Sequence, residues 1–154
     1  VFFKQFERSL YSVWQTNKSG KYSFHQVLTL ASIVEKEAYK RSEMPVIAGV
    51  FYNRLKKRMV LASCPTIAYA LGQPRKRVLS FEDLEIDSKY NTYRRQGLPP
   101  TPIASVGLAA FQAALSPAQT KYLFFVAQKD GAHNFSTTLR DHINKQRQLR
   151  GLVR

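Results

Sequence analysis

The sequence lacks the features that cross-link a chain or anchor it in a membrane. Cys64 is the one cysteine in 154 residues, so the chain can form no internal disulfide and has no cysteine cluster for a metal. Its apolar runs extend over only a few residues, whereas a membrane-spanning helix needs roughly 20. No signal peptide is visible at Val1, and because an initiator Met is also missing, we expect a fragment of a longer protein.

Acidic residues are scarce as well. The 24 Lys and Arg against 10 Asp and Glu give a formal net charge of +14, which predicts an anionic partner such as nucleic acid, phospholipid or an acidic cell-wall glycan. The net charge indicates that the partner is anionic but does not identify its chemical class. With 44% hydrophobic and 12% aromatic residues the composition is globular, and the length predicts a single domain over 1–154 with its own core.

Apolar periodicity predicts a mostly helical chain. Capping residues, prolines and glycines place the expected helices at 1–20, 23–38, 45–57, 65–71, 105–115 and 139–149, with a short one opening at 80–83. Ser23 followed three residues later by Gln26 predicts a capping box at the start of the second helix. Residues 122–127 give a strand signal, and Asp130-Gly131 predicts a turn before a returning strand at 133–137. The expected fold class is therefore α+β, a mostly helical single domain with a small antiparallel β-hairpin near the C-terminus.

Two carboxylates, Glu35 and Glu37, lie within the apolar helical pattern of the second helix. At 3.6 residues per turn they fall on opposite shoulders of the buried stripe, so they cannot both face one cleft. The simplest interpretation of each is a solvated surface residue. The alternative is a carboxyl group whose partial burial raises its pKa, as a general acid near neutral pH requires. Periodicity alone does not choose between these roles.

Four segments carry a more specific pattern: LASIVEKEA at 30–38, VFYNRLKKRMVLASCPTIAYAL at 50–71, YNTYRRQGLPPTPIASVGLAAFQAALSP at 90–117 and YLFFVAQKDGAHNFSTTLRDH at 122–142. In this order they resemble the catalytic domain of the endolytic murein transglycosylase family, also called the YceG-like family. The resemblance runs from about Tyr22 to His142 and so covers most of the chain. One such motif would be weak evidence, whereas four in sequence are specific.

The resemblance implies a bacterial protein that is anchored in the inner membrane by an N-terminal helix, with its catalytic domain on the periplasmic side. Such proteins cut nascent peptidoglycan strands internally and leave 1,6-anhydro-N-acetylmuramoyl ends. The implied partners are peptidoglycan strands and cell-wall synthesis proteins, with no nucleic acid and no metal or organic cofactor. The family's catalytic glutamate lies in the segment matched by IVEKE, which we align with Glu35, leaving Glu37 as the second choice.

The implied chemistry needs one carboxyl group. Most hydrolytic glycosidases use two carboxylates, one as acid and one as base or nucleophile. A lytic transglycosylase uses the C6 hydroxyl of the sugar itself as nucleophile. One Glu can then protonate the leaving oxygen and afterwards remove the hydroxyl proton.

The matched segments contain further candidate substrate-binding residues: Asn53, Ser63, Asn91, Thr92, Tyr93 and His133. The 91–93 triplet opens a proline-rich stretch, 90–103, that predicts an ordered extended loop of the kind that often lines a site. Its side chains can bind sugar hydroxyls and stack a pyranose ring, although Asn and Tyr in loops are often structural. Asn53 and Ser63 would orient the acid or the substrate, with helix capping the simpler interpretation of Ser63.

The sequence departs from the family pattern at three places. Cys64 replaces the aspartate of a usual Ser-Asp-Pro-Thr, which would cap the next helix or touch substrate. Arg58 stands where the family commonly has Gly at a helix end, so a side chain must occupy a left-handed conformation or the turn must change. The Asp-His-Ile-Asn at 141–144 replaces a tighter Glu-His-Asn, so its Asn is not carried over.

Other functions remain open from the sequence. The charge and the Arg-rich patches next to aromatic residues would suit a nucleic-acid-binding module, although no recognised nucleic-acid motif accompanies them. The loss of aspartate at Cys64 would suit a glycan-binding scaffold without turnover, and an ordinary muramidase would release reducing ends instead. A metal site at His133 and His142 lacks a third ligand at suitable spacing.

Overall fold

The computed structural model describes residues 2–17 and 20–151, with side chains from residue 4 onward. Within these residues the helices are α1 (Phe2–Asn17), α2 (Phe24–Glu37), α3 (Met44–Lys56), α4 (Cys64–Ala70), α5 (Leu108–Leu115) and α6 (Leu139–Leu149). Short 3₁₀ turns occupy Arg41–Glu43 and Asp83–Glu85, and the strands are β1 (Phe124–Ala127) and β2 (His133–Ser136). The mostly helical α+β fold with an antiparallel hairpin near the C-terminus is confirmed.

Helix α2 lies at the centre of the core. The predicted capping box closes its N-terminus, with Ser23 Oγ accepting from the Gln26 amide at 3.2 Å and Gln26 Oε1 accepting from the Ser23 amide at 2.9 Å. Residues 29–34 are all buried as α2 packs against α3 and α5. The last turn of α2 emerges from this core, so Glu35 and Glu37 lie at the boundary between apolar interior and solvent.

The proline-rich stretch is an ordered loop, as predicted, and it is tied to α2. Ser32 Oγ accepts a hydrogen bond from the Ile103 amide at 3.0 Å, and Ser32 and Ile103 are both buried. Near its other end the loop pairs with the chain before α4, where the Ala62 amide donates to the Thr92 carbonyl at 2.9 Å. The loop therefore connects the end of α2 with the start of α4.

The hairpin pairs Phe124 with Ser136 at one end and Ala127 with His133 at the other. Phe125 of β1 packs edge-on against Phe51 of α3, with ring centroids 5.8 Å apart, which fixes the hairpin to the helical core. Gly131, with φ +83°, supplies the left-handed residue that the predicted turn requires. This arrangement carries the 128–132 loop to the end of α2.

Several predicted helix boundaries are wrong. Helix α5 begins at Leu108 with Gly107 as its N-cap, not at Ser105. The cap of α4 is Ser63, one residue before Cys64, and its hydroxyl makes no capping bond. The predicted end of the first helix falls at residues 18–19, which lie outside the described residues. The segment at 80–83 supports only one 3₁₀ turn despite reciprocal hydrogen bonds between Ser80 and Asp83.

Among the residues described, no helix combines the length and the hydropathy that a bilayer-spanning segment requires.

The departure at Arg58 has the structural consequence expected from the sequence. Arg58 adopts a left-handed conformation with φ +57°, directly after α3. Its amide donates to the Leu55 carbonyl at 3.1 Å, and the next amide, that of Met59, donates to the Arg54 carbonyl at 2.9 Å. The helix end thus keeps the geometry that glycine would adopt without strain.

We expect Arg58→Gly to stabilise the protein by about 0.5–1 kcal/mol. Removing Cβ relieves the strain of the left-handed conformation, and this gain exceeds the conformational entropy that glycine loses on folding. Urea unfolding measures the change. The control is Lys57→Gly, where φ is −88° and no strain exists to relieve. Equal effects of the two substitutions would contradict this account.

Candidate active site

The last turn of α2 directs its two carboxylates to different neighbours. The side chain of Glu35 reaches the start of α5, and that of Glu37 reaches the start of α4. This divergence follows from their spacing on the helix and agrees with the prediction that they cannot share one cleft.

Glu35 lies at the N-terminus of α5. Its Oε2 accepts a hydrogen bond from the Gly107 amide at 3.0 Å, and a side chain at Gly107 would place its Cβ only 3.1 Å from the same oxygen. A carboxylate in this position satisfies an otherwise unpaired helix N–H and interacts favourably with the helix dipole. The Glu35 carboxylate also explains why α5 begins at Leu108, because the amide of the N-cap residue Gly107 finds its acceptor on a distant part of the chain.

Glu37 is half-buried and held by a short hydrogen bond. Ser63 Oγ donates to Glu37 Oε1 at 2.6 Å. Burial raises the pKa of Glu37 above its usual value, more strongly than the Ser63 bond and the nearby His133 and Arg54 lower it. The carboxyl group therefore retains its proton to higher pH than an exposed glutamate does.

Ser63 is itself fixed by a buried hydroxyl network. Its amide donates to Thr92 Oγ1 at 3.0 Å, and its carbonyl accepts from Thr66 Oγ1 at 2.7 Å. The hydroxyl oxygens of Thr66 and Thr92 lie 2.7 Å apart. Because Thr66 gives its proton to the Ser63 carbonyl, Thr92 must donate to Thr66. The Ser63 hydroxyl proton is left for Glu37.

Three of the predicted substrate contacts are hydrogen-bonded within the protein. Asn91 is 1% exposed, and its amide nitrogen donates to the Leu84 and Ile86 carbonyls at 2.9 and 2.8 Å, which leaves no face for a ligand. Thr92 is equally buried in the hydroxyl network. Asn53 donates to the Thr120 and Tyr122 carbonyls and holds the chain that leads into β1. Their polar groups bond to other protein groups, and substrate binding by these three residues stays a prediction.

Tyr93 lies close to the contact between Ser63 and Glu37. Its hydroxyl lies 3.1 Å from Cys64 Sγ, at the start of α4 next to Ser63. Burial, the thiol and the charge of Glu37 all raise the pKa of Tyr93, and burial likewise raises that of the Cys64 thiol. Both groups stay neutral near physiological pH and can donate hydrogen bonds beside the Glu37 carboxyl.

His133 approaches Glu37 from the hairpin. Glu43 accepts the His133 amide at 2.9 Å through one oxygen and the ring Nδ1 at 2.8 Å through the other. The His133 side chain is only 4% exposed, so this double contact fixes its position. Although burial acts to raise it, the bonds from His133 hold the pKa of Glu43 below its usual value.

A cavity of about 410 Å³ is bounded by Glu37, Tyr39, His133 and the hairpin loop 127–131. A larger cavity of about 890 Å³ lies between α1, α3 and the end of α5, but its described lining residues include no carboxylate. The smaller cavity is therefore the better candidate for acid catalysis. No group of three or more potential metal ligands occurs in the part of the chain that the structure describes.

Sequence reasoning missed Glu43, Arg54 and Tyr39. Arg54 donates through Nε to the Leu123 carbonyl at 2.6 Å and lies over the Phe124 ring, 5.0 Å from its centroid, which places a fixed positive charge near Glu37. Nothing in the spacing of these residues signals their convergence. They come together only when the hairpin docks on α2 and α3.

We expect Glu37→Gln to be more stable than the parent protein at pH 8 and to lose this advantage below about pH 4.5. In the unfolded chain Glu37 ionises near pH 4.5, whereas in the folded protein it ionises only at higher pH. The free energy of unfolding of the parent protein therefore falls as the pH rises from about 4.5 through the pKa of Glu37 in the folded state. Thermal unfolding across pH measures the difference.

The control is Glu35→Gln, which removes a charge from the N-terminus of α5 and should lower stability at neutral pH by about 0.3–1 kcal/mol. A destabilised Glu37→Gln at pH 8 would contradict the burial of the carboxyl group.

Comparison with known proteins shows consistent relatives. The sequence matches the YceG-like family over residues 1–148. It is 50% identical over 125 residues to the endolytic murein transglycosylase of Bacillus subtilis (strain 168), an alignment that covers 81% of this chain and 34% of the relative. The protein of that name from Streptococcus pneumoniae serotype 2 (strain D39) is 36% identical over 141 residues, covering 88% and 26%.

A solved structure is also similar. The YceG-like protein from Listeria monocytogenes superposes with a TM-score of 0.83 at 44% identity, over 87% of this chain and 44% of that one. The chain thus spans about a third or less of the curated relatives it matches.

Proposed function

The chain belongs to the YceG-like family, and on that premise we propose that it carries the catalytic site of an endolytic murein transglycosylase. The substrate is a peptidoglycan glycan strand, cut internally at the bond between N-acetylmuramic acid and N-acetylglucosamine. The product is a 1,6-anhydro-N-acetylmuramoyl end. The single observation that carries the proposal is a glutamate with a raised pKa, Glu37, at the wall of a cavity.

The proposal makes Glu37 the acid in place of Glu35, which the sequence alignment had put first. Glu35 is engaged with the Gly107 amide of α5, outside the residues that bound the cavity. Glu37 has the burial that keeps a carboxyl group protonated and a neighbouring hydroxyl that fixes its orientation. With Oε1 accepting from Ser63, Oε2 is the oxygen that carries the proton.

The reaction needs no second carboxylate. Glu37 gives its proton to the glycosidic oxygen as the bond from muramic acid C1 breaks, and N-acetylglucosamine leaves with a free C4 hydroxyl. The ionised Glu37 then takes the proton of the C6 hydroxyl while O6 bonds to C1, which closes the anhydro ring. The proton returns to Glu37, and no water is consumed.

Neighbouring groups suit the two halves of this cycle. The Ser63 hydroxyl and the nearby Arg54 stabilise the carboxylate that exists between the two proton transfers. Burial favours the protonated form at the start. These opposing influences keep the pKa of Glu37 raised without preventing ionisation, as one group acting in turn as acid and base requires.

The proposed setting follows from charge and family. A net charge of +14 favours an anionic cell-wall polymer beside a membrane surface. We include in the proposal an extracytoplasmic location, membrane anchoring in the full-length protein and contact with cell-wall synthesis proteins.

Glu37→Gln is expected to reduce the yield of anhydromuropeptides from purified peptidoglycan at least 100-fold, the usual contribution of a general acid. Glu35→Gln is the matched control and should retain most activity, because it changes the cap of α5 rather than the acid. Mass spectrometry separates anhydro ends from reducing ends, which are heavier by one water. Loss of product in Glu35→Gln alone would return the role to Glu35.

Ser63→Ala is expected to move the alkaline limb of the pH–rate profile to higher pH. The Ser63 bond lowers the pKa of Glu37, so its removal raises that pKa and keeps the acid form to higher pH. The control is Ser32→Ala, since Ser32 is a buried serine of α2, the helix of Glu37, whose hydroxyl accepts from the Ile103 amide and not from the acid. An unchanged or downward-shifted limb in Ser63→Ala would show that the serine does not act on the acid.

A non-catalytic glycan-binding scaffold is the second candidate, favoured by one observation. Cys64, in place of the family's usual aspartate, faces Tyr93 beside Glu37 and supplies no charge there. The peptidoglycan digestion described above distinguishes the two candidates. If the protein is a scaffold, it binds peptidoglycan but releases no anhydro ends from it.

A further inference from the structure

Tyr39 is exposed in an unusual position. Its residue surface is 81% accessible, and it lies two residues beyond Glu37 at the rim of the cavity that Glu37 lines. Large aromatic side chains usually bury their rings, because each ring removes a large apolar area from water. An exposed ring at the mouth of a polar cavity offers that area to a ligand.

The ring does not project freely into solvent. It rests against Gly131 of the hairpin turn, where the Cβ of any other residue would come within 2.3 Å of Tyr39 Cδ1. Gly131 also has φ +83°, so glycine both forms the turn and makes room for the ring. The hairpin therefore supports one part of the tyrosine and leaves the rest open.

Two side-chain contacts hold the same pair of segments together. Lys40 Nζ lies 3.6 Å from Asp130 in the hairpin loop, and Glu43 binds both the amide and the ring of His133. Both contacts start within four residues after Tyr39, and on the hairpin they lie on either side of Gly131. The ring is held before any ligand arrives, which lowers the entropy cost of binding.

From this geometry we propose that Tyr39, supported by Gly131, is a stacking platform for a pyranose ring of the glycan strand next to the bond that is cut. The apolar C–H face of a sugar covers the exposed ring, and Gln128 and His133 line the same cavity beside it. This inference rests on the proposed function, because it places a sugar subsite beside Glu37.

The test measures binding of glycan strands freed of stem peptides, with Glu37→Gln as the parent so that no strand is cut. Adding Tyr39→Ala should raise the dissociation constant roughly tenfold. Tyr39→Phe and Tyr39→Trp keep an aromatic ring, so their dissociation constants should lie within about twofold of the parent value. The control is Phe81→Ala, since Phe81 is 90% exposed but does not line the cavity.

The outcomes separate the two proposals. Equal binding by the Tyr39→Ala variant and the parent overturns the platform and leaves the acid assignment untouched. Weakened binding together with persistent turnover by Glu37→Gln supports the platform and overturns the acid assignment. Failure of the parent to bind any glycan strand overturns both. A loss shared by Tyr39→Phe also overturns the platform, since it would assign the effect to the hydroxyl.

Discussion

The hydrogen bond from Ser63 to Glu37 is the contact on which the account of this molecule depends. This bond of 2.6 Å joins the end of α2 to the start of α4. It is made to a carboxyl group whose pKa is raised by burial. Burial alone would leave a neutral acid with no way to act as a base. The hydroxyl and the nearby Arg54 restore part of the stability of the charged form.

The rest of the fold can be understood as the support for this contact. The proline-rich loop delivers Thr92, which fixes the backbone of Ser63. The hairpin delivers His133, which Glu43 holds from the segment after α2. Four separated parts of the chain thus converge around one carboxyl group, and hydrogen bonds between these parts hold them together. Such support keeps a site within the small tolerances that catalysis needs.

Local chemistry was readable from the sequence, and long-range partners were not. The capping box at Ser23, the helix at Pro45, the hairpin turn at Gly131 and the left-handed Arg58 depend on neighbours within four residues, so their patterns sufficed. The start of α5 was misjudged because its cap is supplied by Glu35, 72 residues away. The bonds from the Asn91 amide to the Leu84 and Ile86 carbonyls were likewise invisible, because a loop asparagine looks the same in sequence whether its amide meets a sugar or a carbonyl.

The choice between the two glutamates shows the same limit. Helical spacing established that they diverge, but which shoulder of α2 faces α5 and which faces α4 is decided by how the later helices pack. The most direct test of the account is a carbon-detected NMR titration of the Glu37 side-chain carboxyl in the folded protein. The account predicts a midpoint clearly above 4.5, and a midpoint at or below 4.5 would contradict it.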